Sequence, residues 1–163
     1  MALQPEDTWL NLERTLFYWV YQKLEIDDTR LKGKISYDDS EFDASGKDRW
    51  VTIQILDVGV GVGADPQVQF TISQRKEGDP FGARMKQAAD LVRAAMNINA
   101  IPMQDFGTEL EGGSPNQIYL DGNPLEMAVR HTGPNGRLPE AIPGVLSSIL
   151  TYTLHLWRNT IVE

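Results

Sequence analysis

The sequence predicts an α+β fold, a sheet of half-buried strands with amphipathic helices laid on it. Three stretches carry that prediction. RWVTIQIL (49–56) places Val51, Ile53 and Ile55 on one face and Trp50, Thr52, Gln54 and Leu56 on the other. QVQFTISQR (67–75) alternates more cleanly, with Val68, Phe70 and Ile72 opposite Gln67, Gln69, Thr71 and Ser73. A period of two in β-branched and aromatic residues is the mark of a half-buried strand. EGDPFGARMKQAADLVRAAM (77–96) then changes the period, and Met85, Ala88, Ala89, Val92, Ala95 and Met96 fall on one helical stripe. Asp79 and Pro80 mark the expected start of this helix: a capping carboxylate, then a ring that presets φ.

Taken in order, residues 5–25 read as a first helix. Pro5, Glu6 and Asp7 load its start with a preset φ and negative charge. Trp9, Leu12, Leu16, Trp19, Val20 and Leu24 form its apolar stripe, widened by Leu10, Phe17 and Tyr21, a breadth that calls for burial against a sheet or a neighbouring subunit. Residues 26–48 are polar and acidic, with one short strand expected near Ile35. The acids Asp38, Asp39, Glu41, Asp43 and Asp48 do not follow the alternating ligand positions, central glycine and closing glutamate of a calcium loop. The run DVGVGVGADP joins the two strands. Its third glycine comes one residue early for a dinucleotide fingerprint, and a strand follows instead of a helix, so it reads as a glycine-rich hairpin connection.

Beyond the second helix, Ile98–Phe106 reads as a short strand with Pro102 at a sheet edge. Residues 107–117 are loop by composition. Ile118–Leu120 and Pro124–Arg130 read as short strands around a DGN turn. His131–Gly144, HTGPNGRLPEAIPG, reads as a long Gly/Pro-punctuated loop of the kind often ordered by a partner. VLSSILTYTLHLWR (145–158) is the longest strand. It carries Leu146, Leu150, Tyr152, Leu154 and Leu156 on one face, and Val145, Ile149, Thr151, Thr153, His155 and Trp157 on the other. Apolar groups on both faces make it central or covered on both sides.

The 163 residues suit a single domain, 1–163. No run approaches the ~20 apolar residues of a membrane helix, and MALQPEDTW lacks the apolar centre of a secretory signal. The absence of cysteine excludes disulfides, thiolate metal sites and cysteine nucleophiles. With 15 basic residues against 23 acidic ones and a net charge of −8, direct binding of nucleic acid is not expected. The two histidines, His131 and His155, have no sequence-adjacent ligand partner, and Ser147 and Ser148 sit within a strand instead of a nucleophile elbow. No catalytic, cofactor or metal site is therefore expected.

One resemblance spans nearly the whole chain. An amphipathic helix leads through a polar loop to a strand opening on Trp50. QFTISQR then runs through EGDPFGARMKQAADLVRAAM into IPMQDFG, and the chain closes on LHLWRN. In this order and these lengths it resembles the tail terminator proteins of long-tailed bacteriophages. The acidic stretch at 38–48 and the Gly/Pro-rich segment at 131–144 depart from that pattern, and other head–tail joining proteins share parts of the layout. The resemblance implies an α/β (α+β) subunit, with a mainly antiparallel central sheet packed against two helices and long loops or a hairpin extension. It implies a homohexameric ring, made in the host cytoplasm and resident in the virion neck, that caps the head-proximal end of the tail tube. The ring ends tube polymerisation and joins tail to head, with the tail tube protein and a head-completion or stopper protein as partners. DNA would pass through its lumen without specific binding, an acidic lumen being suited to that. No enzymatic activity, cofactor or membrane contact is implied. Ring closure needs one patch to meet a different patch on the neighbour. The residues expected at such contacts are Val60, Val62 and Asp65 in the glycine connection, and Arg130, His131, Arg137, Leu138 and Ile142 in and before the long segment. The alternatives are another neck protein, or a small α+β enzyme or ligand-binding domain whose site is assembled from distant residues.

Overall fold

The structure is a computed structural model that describes residues 8–37, 42–56, 66–79, 81–106, 116–117, 119–120, 123–124, 126–131 and 136–156. Helix α1 (Thr8–Tyr21) runs into a π-helical turn (Gln22–Ile26). Strand β1 (Ile35–Ser36) precedes the long β2 (Arg49–Leu56) and β3 (Gln67–Arg75), and helix α2 spans Ala83–Met96. Short strands follow: β4 (Ala100–Pro102), β5 (Gln104–Asp105), β6 (Asn116–Gln117), β7 (Tyr119–Leu120) and β8 (Asn123–Pro124). The chain closes with β9 (Glu126–His131), β10 (Gly136–Arg137) and β11 (Val145–Leu156).

The main sheet has the order β1-β2-β3-β11-β9-β4, with β10 also paired to β11. Every pairing in it is antiparallel except β1 with β2. The fold is thus α+β with a mainly antiparallel sheet and two helices. Strand β11 lies between β3 and β9, the central place that its apolar character on both faces predicts. Strand β4 lies at the edge, which accommodates Pro102.

Both helices cover one sheet face. Val51, Ile53, Val68, Phe70, Ile72, Leu150, Leu154 and Met127 line that face and are buried together with Leu12, Leu16, Val20 and Leu24 of the first helical segment. All six residues of the α2 stripe are buried in the same core. Helix α1 also contributes polar groups. Asn11 Oδ1 accepts a hydrogen bond from the Phe106 amide at 2.8 Å, and Thr15 Oγ1 accepts one from the Gln104 amide at 3.0 Å. Trp19 Nε1 donates to the Ala95 carbonyl at 2.8 Å, tying α1 to the last turn of α2. Tyr21 is exposed, so the apolar stripe is narrower than its sequence indicated.

On the opposite face Trp50 is buried beneath the Arg75 guanidinium, which lies 5.3 Å from the ring centroid and is anchored by the carbonyls of Lys47 and Ala44. Arg75 thereby covers the Trp50 ring.

The element boundaries differ from the sequence reading in four places. Helix α2 begins at Ala83, after Gly82 in the left-handed region at φ 69°. The Asp79 carboxylate still serves the helix start, accepting from the amides of Arg84 (3.1 Å) and Met85 (3.3 Å) across that turn. The expected single strand at 98–106 divides into β4 and β5, which belong to different sheets. Around the DGN turn, β7 pairs with β8, and β9 begins separately at Glu126. The expected long loop from His131 to Gly144 is in part strand: His131 ends β9, and Gly136–Arg137 form β10 against Ile149 and Ser148. Its glycines and prolines disguise a sheet extension because pairing with β11 is a long-range property that local composition does not encode.

Candidate functional site: a hairpin end and a cleft

Two surface features stand at opposite ends of α2. The first lies where β3 leaves the sheet and the hairpin between β10 and β11 enters it. Leu138 N–H donates to the Ser147 carbonyl (2.9 Å) and Ser148 Oγ to the Gly136 carbonyl (3.2 Å), which extends the pairing into the hairpin. The turn is tied to the β3–α2 connection. Lys76 N–H donates to the Gly144 carbonyl (2.9 Å), and Lys76 Nζ meets Glu140 Oε2 at 2.7 Å. Glu140 Oε1 accepts from the Gly144 amide at 2.7 Å, so one carboxylate holds both segments. The hydrogen bond from Lys76, and then that from Gly144, hold the Glu140 carboxyl below the usual carboxylate range. An Arg137 guanidinium nitrogen comes within 3.8 Å of the position a β-carbon would take on Gly82.

This tied unit presents apolar side chains to solvent. Phe81 is 89% exposed, Ile142 58% and Leu138 36%. A phenylalanine so uncovered is unusual, since aromatic side chains carry a large burial free energy. The turn bearing it is fixed by hydrogen bonds from Asp79 N–H to the Lys76 carbonyl and from Gly82 N–H to the Asp79 carbonyl.

The second feature is a cleft of about 460 Å³ at the C-terminal end of α2. Met96, Val129 and Tyr152, all buried, form its floor. Arg93, Asn97 and His131 stand at its rim. The His131 and Tyr152 rings meet edge to face with centroids 5.3 Å apart, a favourable aromatic geometry. Burial pushes the Tyr152 hydroxyl above its ordinary pKa, outweighing the opposing pull of the Arg93 charge, so it stays a neutral hydrogen-bonding group at neutral pH.

The residues expected at subunit contacts distribute as follows. Arg137, Leu138 and Ile142 lie in the hairpin, and the Arg137 guanidinium approaches Gly82, the residue after Phe81. His131 lies apart from them, at the cleft. Arg130, opposite Thr153 on β11, is exposed at the end of β9. Val60, Val62 and Asp65 lie outside the described residues. The sequence reading missed Phe81, and the signal for it was present: Phe81 falls off the buried stripe of α2 and stands between proline and glycine. It also missed Arg93 and Asn97, for which no local signal exists, since the cleft forms only where α2, β9 and β11 converge.

Among the described residues no group of three or more His, Asp or Glu side chains could hold a metal ion, and no helix is long and apolar enough to cross a membrane.

No family model matches the sequence, and no curated protein matches it. A solved structure aligns over 96% of this chain and 97% of its own, with a TM-score of 0.53 and 13% identity. The likeness is one of fold. It covers both chains almost end to end.

Proposed function

We propose that this chain is a structural ring protein of a phage neck, closing the head-proximal end of a tail tube and joining tail to head. The observation that carries the proposal is the chain-wide order of elements that resembles tail terminators, read together with the α+β architecture which that resemblance implies. The hairpin from β10 to β11 supports the reading as well. It exposes Leu138 and Ile142 and brings Arg137 to the turn that carries the exposed Phe81, apolar groups suited to a neighbouring subunit. In this reading the protein performs no chemistry. It acts by presenting one face to the tube and another to the head-completion or stopper protein, while DNA passes through an acidic lumen that does not hold it.

A tube-growth assay tests the function. Purified chain added to polymerising tail tube protein is expected to arrest growth and remain at one end of each tube, visible by negative-stain imaging. Unchanged tube lengths, with the chain bound to isolated connectors instead, would assign it to the stopper tier.

A further inference from the structure

We infer that Phe81 of one subunit docks into the cleft at the far end of α2 on a second copy of this chain. The inference rests on the ring reading and specifies the contact that builds the ring. Phe81 is 89% exposed and lies two residues before the first residue of α2. The cleft lies past the last turn of the same helix, bordered by Met96 and Asn97. Fourteen helical residues separate the two features, about 20 Å at ~1.5 Å per residue, so a rigid element prevents the ring from reaching its own chain's cleft.

The two features suit each other. The cleft of about 460 Å³ has room for a phenyl ring. Its floor of Met96, Val129 and Tyr152 offers thioether, aliphatic and aromatic contacts. At the rim, the Arg93 guanidinium is available to the face of an incoming ring. Its existing pairing with Asp90, at 3.1 Å between exposed side chains, is too weak to withhold it. The Phe81 turn is already held by the hydrogen bonds around Asp79 and Gly82, so docking orders little further chain. A knob on one patch and a hole on a different patch make a heterologous contact, the kind that closes into a ring when the rotation per subunit permits.

The chain has no native cysteine, which allows a clean cross-linking test. The double variant Phe81→Cys/Asn97→Cys, oxidised at a concentration above its own assembly midpoint, is expected to give a series of covalent multimers on a non-reducing gel. Each single variant is expected to give no covalent multimer on that gel. Absence of multimers from the double variant overturns the inference, as does a covalent dimer from Phe81→Cys alone, which would mean a symmetric contact. Phe81→Ser is expected to keep the wild-type melting temperature and raise the assembly midpoint concentration at least tenfold. An unchanged midpoint also overturns the inference. Particle mass of the unmodified wild type separates the two levels: rings without cross-linking would retain the ring and reject the Phe81 contact.

Discussion

Glu25 is a buried charge held by its neighbours. Its carboxylate accepts from the Gly33 amide at 2.8 Å and from the Tyr37 hydroxyl at 2.5 Å. Desolvation first, and then the Glu25 hydrogen bond and charge, drive the Tyr37 hydroxyl far above its ordinary pKa. Tyr37 in turn packs edge to face on Phe17, so the carboxylate links the π-helical turn, β1 and α1. Glu25→Ala would remove the acceptor of two part-buried hydrogen bonds and is expected to cost about 1–3 kcal/mol in urea unfolding. Tyr37→Phe removes one partner only and is expected to cost less. An equal loss in both would show that the carboxylate is not the organising group.

Glu140 yields a prediction in pH. Its folded pKa is lowered, so its contribution to the hairpin tie is present above the unfolded value of 4.5 and is lost as pH falls through the folded pKa. The Gly144 amide resonance is expected to report that titration with a midpoint below 4.5. A midpoint at or above that value would mean the Lys76 and Gly144 bonds do not form in solution.

At the scale of elements, α2 is the clearest test of packing. Val92 has no exposed surface and faces the sheet. Val92→Asp would bury an unpaired charge and is expected to abolish cooperative folding, seen as loss of the thermal transition. Gly82→Ala is a milder probe. An added β-carbon would meet Arg137 only at an ordinary 3.8 Å, so its cost comes from the positive φ of 69°, about 1–2 kcal/mol of stability. A neutral result would mean that the turn before α2 readily adopts another conformation.

These elements also show what sequence encodes locally. The limits of β2 and β3 and all six buried positions of α2 were legible because burial there follows a fixed period. The start of α2 was not, because Asp79 reaches the first amides through a left-handed glycine instead of flanking them directly. Strand β10 and the parallel pairing of β1 were hidden for a different reason. Each is two residues long and exists only through a distant partner. The exposed Phe81 could have been flagged from its place off the helical stripe, whereas the cleft depends on three elements meeting and has no signature along the chain.

At the scale of the whole molecule, all the described α-helical packing lies on one face of the sheet, and two unlike surface features stand at the two ends of α2. A subunit with unlike ends suits an assembly in which every copy contacts its neighbour in the same direction. The polar face of the sheet, with Thr52, Gln54, Gln69 and Thr71, would remain for other contacts or, in the proposed ring, for the lumen. Mass photometry combined with negative-stain imaging of the purified chain, alone and with tail tube protein, tests this account most directly. The account predicts particles of six times 18.3 kDa with a central hole; a compact monomer at every concentration, with and without the tube protein, would contradict it.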